Sequence, residues 1–259
     1  MDSAKQKTDE GSPTAVPSSL REKVDSAEQK TDEGSPTAVP SSLRGKVARE
    51  CVTDEGDIPS PSRCEAILFF VQRKEYQVII EKTEIPDVLL ITPKVFFDAR
   101  GFFMETWNEA EFKKNGLDLT FVQDNHSKSV KGTLRGIHYQ KENTQGKLVR
   151  VTQGKVFDIA VDLRKNSPYF GKWVGRVLSD ENKQMLWIPP KFGHGFYVLS
   201  ETAEFQYKCT DIYNPKGERS IVWNDRTINV EWPIEAGTTP LLSPKDENGL
   251  PFEKADVFD

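Results

Sequence analysis

"KLVRVTQGKVFDIAVDLR", residues 147–164, decides the fold class. The run divides at Gln153-Gly154 into two segments of strand composition joined by a glycine turn. Successive strand residues point to opposite faces. Lys147, Val149 and Val151 therefore share a face of the first segment. In the second, Phe157, Ile159, Val161 and Leu163 form an apolar face, and Asp158 and Asp162 stand with Val156 and Ala160 on the other.

Reading outward, the same kind of segment recurs at short intervals. "VLLITPKVFFD" is one strand-like run, and "KWVGRVLS", "QMLWIP", "GFYVLS", "AEFQYKCTDIY" and "SIVWND" follow the central pair. "NEAEFKKNG" at 108–116 predicts one short helix, with Asn108 as cap, Glu111 completing a capping box and Gly116 as stop. Many short strands with Gly/Pro turns predict an all-β sandwich or barrel. In "EFQYKCT", Phe205, Tyr207 and Cys209 share one face and Gln206 and Lys208 the other. A lysine and a tyrosine thus lie among apolar neighbours. Inside a barrel they would furnish a ligand cavity, and at a rim they would reach out to water.

The other end of the chain differs. Residues 2–24 recur at 25–47, changed only at Lys5/Glu28 and Glu22/Gly45, and "TDEGDIPSPS" at 53–62 resembles a worn third copy. Each unit is polar, with too few apolar groups to offset its ordering entropy. Residues 1–65 therefore read as a disordered, duplicated tail, and 66–259 as the folded domain, opening with strands "AILFFVQ" and "YQVIIEKTEI" around a "QRKE" turn. The chain has 259 residues and a formal charge of −5, which argues against nucleic acid or an anionic membrane as the main partner. Its longest apolar run, "AILFFV" at 66–71, is too short to cross a bilayer. The N-terminal "MDSAKQKTDEG" carries no signal-peptide core, so a soluble, cytoplasmic protein is expected. Three dispersed cysteines suggest neither disulfides nor zinc.

Among chemistries, a G-x-S-x-G elbow and a phosphate-binding P-loop are both missing from the sequence. The three histidines, His126, His138 and His194, stand apart, without the paired spacing of a β-barrel metal site, so no metal is expected. Proton transfer remains. "LRGIHYQ" at 134–140 sets His138, the side-chain type that titrates near neutrality, behind an arginine and a glycine that admits close backbone approach. An isolated histidine suits a satisfied core position equally well. With Lys147, Tyr207 and a carboxylate it would form an acid–base set, and the residues alone do not choose among Asp158, Asp162 and Asp246.

Several long blocks resolve the choice by resemblance. "IPDVLLITPKVFFDARGFF", "FVQDNHSKSVKGTLRGIHYQ", "QGKLVRVTQGKVFDIAVDLRKNSPYFGKW", "WIPPKFGHGFYVLSE", "AEFQYKCTDIYNP" and "IVWND" together resemble the dTDP-4-dehydrorhamnose 3,5-epimerase family from about Gln77 to Phe258. The resemblance implies a cupin-like jelly roll and an isomerase acting on a nucleotide-linked 4-keto-6-deoxy sugar in dTDP-L-rhamnose synthesis. No cofactor is implied, since the reaction has no net redox change. It implies His138 as base, Asp246 as its carboxylate partner, Lys147 at the ketone oxygen and Tyr207 as the opposing acid. Asp158, on the cavity side, would pair with Lys147. For the nucleotide it implies Arg135 and Lys245 at phosphate, Gln123 and Asn125 in the base pocket, and His194 near the sugar. Arg100, Phe103 and Glu105 of "DARGFFMET" would reach a partner subunit's site, which predicts a homodimer with exchanged N-terminal strands. Ile212 stands where relatives often carry an aromatic, and Tyr213 beside it would point the other way on a strand. Relatives that invert only C3 or only C5, ketoisomerases, and a non-catalytic binding protein on this fold are the alternative readings.

Overall fold

The computed structural model describes residues 78–259. The expected tail, the "AILFFVQ" strand and the "QRKE" turn lie outside the described residues. The strands are β1 (Ile79–Lys82), β2 (Leu89–Thr92), β3 (Val95–Asp98), β4 (Gly101–Met104), β5 (Gln123–Val130), β6 (Leu134–Gln140) and β7 (Lys147–Gln153). They continue with β8 (Lys155–Asp162), β9 (Trp173–Ser179), β10 (Met185–Ile188), β11 (Phe192–Val198), β12 (Thr202–Cys209) and β13 (Glu218–Ser220). Two short helices, α1 (Glu109–Lys114) and α2 (Pro244–Glu247), and a 3₁₀ turn at Phe252–Lys254 complete the described elements.

One sheet has the order β1-β2-β10-β7-β12-β5 and a second the order β13-β6-β11-β8-β9, while β3 and β4 form a separate hairpin. The two sheets face one another as the expected jelly roll. Val149, Val151, Ala203 and Phe205 of the first interleave with Val156, Ala160, Val174, Leu178, Phe192 and Phe196 of the second. A fully buried side chain of this size contributes about 1.5–3 kcal/mol, so this layer alone fixes how the sheets mate.

The apolar face of β8 is not the one that meets the other sheet. Ile159, Val161 and Leu163 face outward, where the C-terminal segment covers them with Ile228, Phe252, Val257 and Phe258. The inward face carries Val156, Ala160 and the fully buried Asp158. A strand covered on both sides is apolar on both, and its polar residue then marks the interior. The outer face of the six-stranded sheet is covered in turn by Phe112 of α1, with Leu117 and Trp107, over Leu148, Met185 and Trp187.

Local expectations hold with four amendments, one being that "SIVWND" keeps only Ser220 in a strand, because β13 ends there. Asn108 caps α1, its side chain accepting from the Glu111 amide at 3.3 Å. The reciprocal half of the capping box is absent among the hydrogen bonds described. The Glu111 carboxylate lies 4.0 Å from Lys114 instead. "VLLITPKVFFD" is two strands rather than one, because Pro93 interrupts the ladder between β2 and β3. "AEFQYKCTDIY" leaves the sheet at Cys209, so face alternation stops there.

Candidate active site

Register and parity bring the polar residues of the interior together. His138 on β6 lies opposite His194 on β11, and His194 lies opposite Ala160 on β8. Across the gap, Lys147 pairs in register with Cys209, Val149 with Tyr207, and Tyr207 with Asn125. Ser220 and Glu218 on β13 align with His138 and Gln140. Side chains on these positions share the space between the sheets.

The close approach of β6 and β11 depends on glycine. Gly136 has φ +137°, and a Cβ there would lie 2.5 Å from the Cα of Gly195. Its amide, free of the ladder, donates to Asp246 Oδ1 at 3.1 Å.

Asp246 stands at the third position of α2, where Ser243 is the cap. Here the full capping box forms, and Ser243 Oγ donates to Asp246 Oδ2 at 2.6 Å. Asp246 Oδ1 faces His138, with Nε2 at 2.6 Å but angled off the line of a straight hydrogen bond. The carboxylate is buried, which would push its pKa up. The His138 contact, Ser243 and the Gly136 amide outweigh burial and hold it at about 2. His138 is held below the ordinary imidazole value, first by burial and further by Lys245 and Lys147, against the pull of Asp246. An imidazole largely but not wholly buried beside a fixed carboxylate, yet kept neutral, is suited to accept a proton.

Opposite this pair stand Lys147 and Tyr207. The Lys147 ammonium lies 5.9 Å from the centre of the Tyr207 ring. Burial lowers the lysine pKa, with Cys209 and Asp158 opposing. Burial raises that of Tyr207, so the phenol keeps its proton. Asp158 takes His194, not Lys147, as its direct partner: Nε2 to Oδ2 is 2.8 Å, with Asp158 Oδ1 left without a hydrogen-bond partner. The expected Lys147–Asp158 pair is thus an influence through space. His194 is buried and stacks on Phe205 at 5.9 Å.

Each histidine has its own carboxylate, since His126 lies 3.1 Å from Glu204 on the surface. Among the described residues no three His, Cys, Asp or Glu gather as metal ligands.

The remaining predicted residues divide into two groups. Gln123 and Asn125 lie on β5, joined by a 3.1 Å hydrogen bond, and Asn125 donates to Cys209 Sγ at 3.5 Å. Arg135 is exposed, and its charge is felt at Tyr207. Lys245, next to Asp246, pairs with Glu218 at 2.5 Å. Arg100, Phe103 and Glu105 are not brought to this group by their own chain. They lie on the β3–β4 hairpin or just beyond it, where Arg100 pairs with Asp98 at 2.6 Å and Asn108 reaches Glu105 at 3.4 Å. Phe103 is 61% exposed.

Two residues were missed. Tyr213 is off the strand, so parity does not apply. Its hydroxyl donates to Glu218 Oε2 at 3.2 Å, and its amide donates to Gln123 Oε1 at 2.8 Å. Glu218 itself lies in a three-residue strand too short to leave a periodic signal. Ile212 is 57% exposed, and its carbonyl accepts from Gln140.

The profile of the dTDP-4-dehydrorhamnose 3,5-epimerases matches residues 82–254, which include every member of this constellation. The chain belongs to that family. It is 60% identical over 179 residues to the dTDP-4-dehydrorhamnose 3,5-epimerase of Shigella flexneri, covering 68% of this chain and 97% of that protein. With the same-named protein of Neisseria gonorrhoeae the identity is 58% over 174 residues, 67% of this chain and 52% of the other, so the chain spans about half the length of that relative. The crystal structure of the dTDP-6-deoxy-D-glucose-3,5-epimerase from Legionella pneumophila, solved in complex with dTDP-4-keto-L-rhamnose, superposes with a TM-score of 0.67 at 49% identity. It covers 70% of this chain and 95% of that one. The epimerase fold of this chain is thus the cupin-like jelly roll of its relatives. Among the described residues no helix is long and apolar enough to cross a membrane.

Proposed function

We propose that the interior constellation carries out 3,5-epimerisation of dTDP-4-dehydro-6-deoxy-D-glucose to dTDP-4-dehydro-L-rhamnose. The observation that carries the residue roles is the opposition of a carboxylate-backed imidazole on one sheet to a cation and a phenol on the other. The C3 and C5 protons of the substrate are both α to the C4 ketone. His138 removes one as base, its imidazolium stabilised by Asp246, and the C–H electron pair passes into the ring to leave an enolate at the C4 oxygen. Lys147 stabilises that oxygen electrostatically, an effect worth roughly 3 kcal/mol for one well-placed donor. Tyr207 gives its proton to the carbon from the opposite face, so the centre inverts. The proton gained by His138 and that lost by Tyr207 are rebalanced with solvent before the second centre reacts. His194 and Asp158 line the sugar end.

Arg135 and Lys245 bind the diphosphate, and Gln123 and Asn125 read the thymine. The active assembly is a two-fold dimer in which each β3–β4 hairpin crosses to the neighbour. Two features support this. β5, which bears Gln123 and Asn125, is an edge strand. The hairpin exposes Phe97, Phe102 and Phe103 at 72, 54 and 61%. Docking one on the other would cover both and bring Arg100, Phe103 and Glu105 to the thymine pocket. A cytoplasmic location belongs to the same proposal.

Proton NMR of the dTDP-linked 4-keto-6-deoxyglucose in D₂O with purified protein tests the reading. Deuterium at both C3 and C5, lost with His138→Ala, is the expected result. Deuterium at one carbon alone would make the enzyme a single-centre epimerase, and none at either would overturn the function.

A further inference from the structure

Glu218 is three-quarters buried at its side chain and sits where three parts of the site meet. Its strand is hydrogen-bonded to β6, with Ser220 opposite His138 and Glu218 two residues along on the same inward face. One carboxylate oxygen holds Lys245 at 2.5 Å, and the other accepts from the Tyr213 hydroxyl at 3.2 Å. Lys245 immediately precedes Asp246 in α2, so the ion pair ties β13 to the turn that carries the partner of the base. We infer that Glu218 is a positioning residue. Its carboxylate clamps Lys245 and Tyr213 at the mouth and cancels the ammonium's charge, leaving His138 basic enough to abstract the substrate proton.

The groups facing His138 make the sign definite. Asp246 and Lys245 face it from α2, Lys147 from β7, Glu218 from β13, and His194 lies opposite on β11. After burial, the two charged neighbours that act against the imidazolium are both lysines, Lys245 and Lys147, and Glu218 bears on each of them. The carboxylate stays ionised despite partial burial, because Lys245 and the Tyr213 hydroxyl hold its pKa down. With the carboxylate removed, Lys245 confronts the base uncompensated. With Lys245 removed, the base gains the unopposed carboxylate.

This inference rests on the assignment of His138 as base, but its test does not need turnover. The chain has three histidines, so imidazole resonances in a proton NMR titration are readily assigned by His126→Gln and His194→Gln spectra. Glu218→Gln should lower the His138 midpoint and Lys245→Met should raise it, each by about half a unit. A charge in direct contact moves a pKa by roughly one to three units. The double variant should return near the wild-type value. In wild type and the same variants, the acid limb of kcat/KM should move with the midpoint, and Glu218→Asp should restore it. A Glu218→Gln protein that is merely less stable, with the His138 midpoint and acid limb unmoved, would overturn the inference. So would shifts of the same sign in both single variants. If Glu218→Gln does not fold, Lys245→Met alone decides, since an unmoved or lowered midpoint contradicts the clamp. Absence of deuterium exchange in the wild type would count against the epimerase function and leave the titration result standing by itself.

Discussion

Lys147 and Tyr207 reach the same interior space from neighbouring strands, the ammonium 5.9 Å from the phenol ring, and neither has an ion-pair partner among the described residues. Burial works on them in opposite directions. It makes the lysine more willing to lose its proton and the tyrosine less so. A substrate oxygen that becomes negative between them would satisfy the lysine, and the phenol would remain a donor until a carbanion calls on it.

Lys147→Met should therefore lower kcat by about 10²–10³-fold, the usual cost of one oxyanion donor, with little loss of stability. Steady-state kinetics and thermal melts on the same preparation check both halves. A fall in Tm without a fall in kcat would contradict the assignment.

Tyr207→Phe should separate exchange from inversion. His138 could still remove and return a proton on its own face, so deuterium should enter the substrate while its configuration is retained. NMR coupling constants report the stereochemistry directly. Inversion at a normal rate would remove Tyr207 from the mechanism.

Asp246 has two tasks that two substitutions divide. Asp246→Asn keeps a polar group near Ser243 but no charge behind His138, so turnover should fall by about a hundredfold or more while α2 persists. Asp246→Ala also loses the side-chain half of the capping box, which accepts from the Ser243 amide and hydroxyl, at a further cost of about 1 kcal/mol in stability. Equal melts for the two would argue against the capping role.

Acid stability follows from the same carboxylate. Its folded pKa of about 2 lies below the ordinary 3.8. A lowered carboxylate stabilises the fold above its unfolded value and loses that contribution as pH falls through the folded one. About 2 kcal/mol should therefore be present above pH of about 4 and disappear towards about 2. Urea melts across that window, compared with Asp246→Asn, measure it. For His138 the sign is also fixed. Its lowered value keeps the base neutral to lower pH, so the acid limb of kcat/KM should lie below the ordinary imidazole value of 6.5.

The hairpin prediction concerns assembly. Phe103→Ala with Phe97→Ser should weaken dimers in sedimentation velocity and raise KM for the nucleotide sugar, leaving the jelly roll's melt nearly unchanged. A wild-type protein that sediments as a fully active monomer would refute the exchanged hairpins.

The interior was legible where strands were long enough to alternate. Lys147 with Val149 and Val151, and Phe205 with Tyr207 and Cys209, share the faces that the two-residue period assigns them, and those faces meet inside. β8 was harder. Its apolar face is outward because a C-terminal segment, distant in sequence, covers it, and no local pattern announces such a cover. Asp246 could be chosen only by resemblance, since its neighbour His138 is remote in the chain. Tyr213 was misread because β12 ends at Cys209, and Glu218 was overlooked because three residues carry no period. The hairpin's significance lies in a contact between two chains, which one sequence does not display.

The bond from the Gly136 amide to Asp246 spans 110 residues. In chain order β6 precedes both of its sheet neighbours, β11 and β13, and the turn bearing the carboxylate follows all three. Until α2 closes over β6, His138 lacks the carboxylate that stands beside it in the folded chain. On the roles proposed above, an unfinished chain would hold the base without the group that stabilises its protonated form.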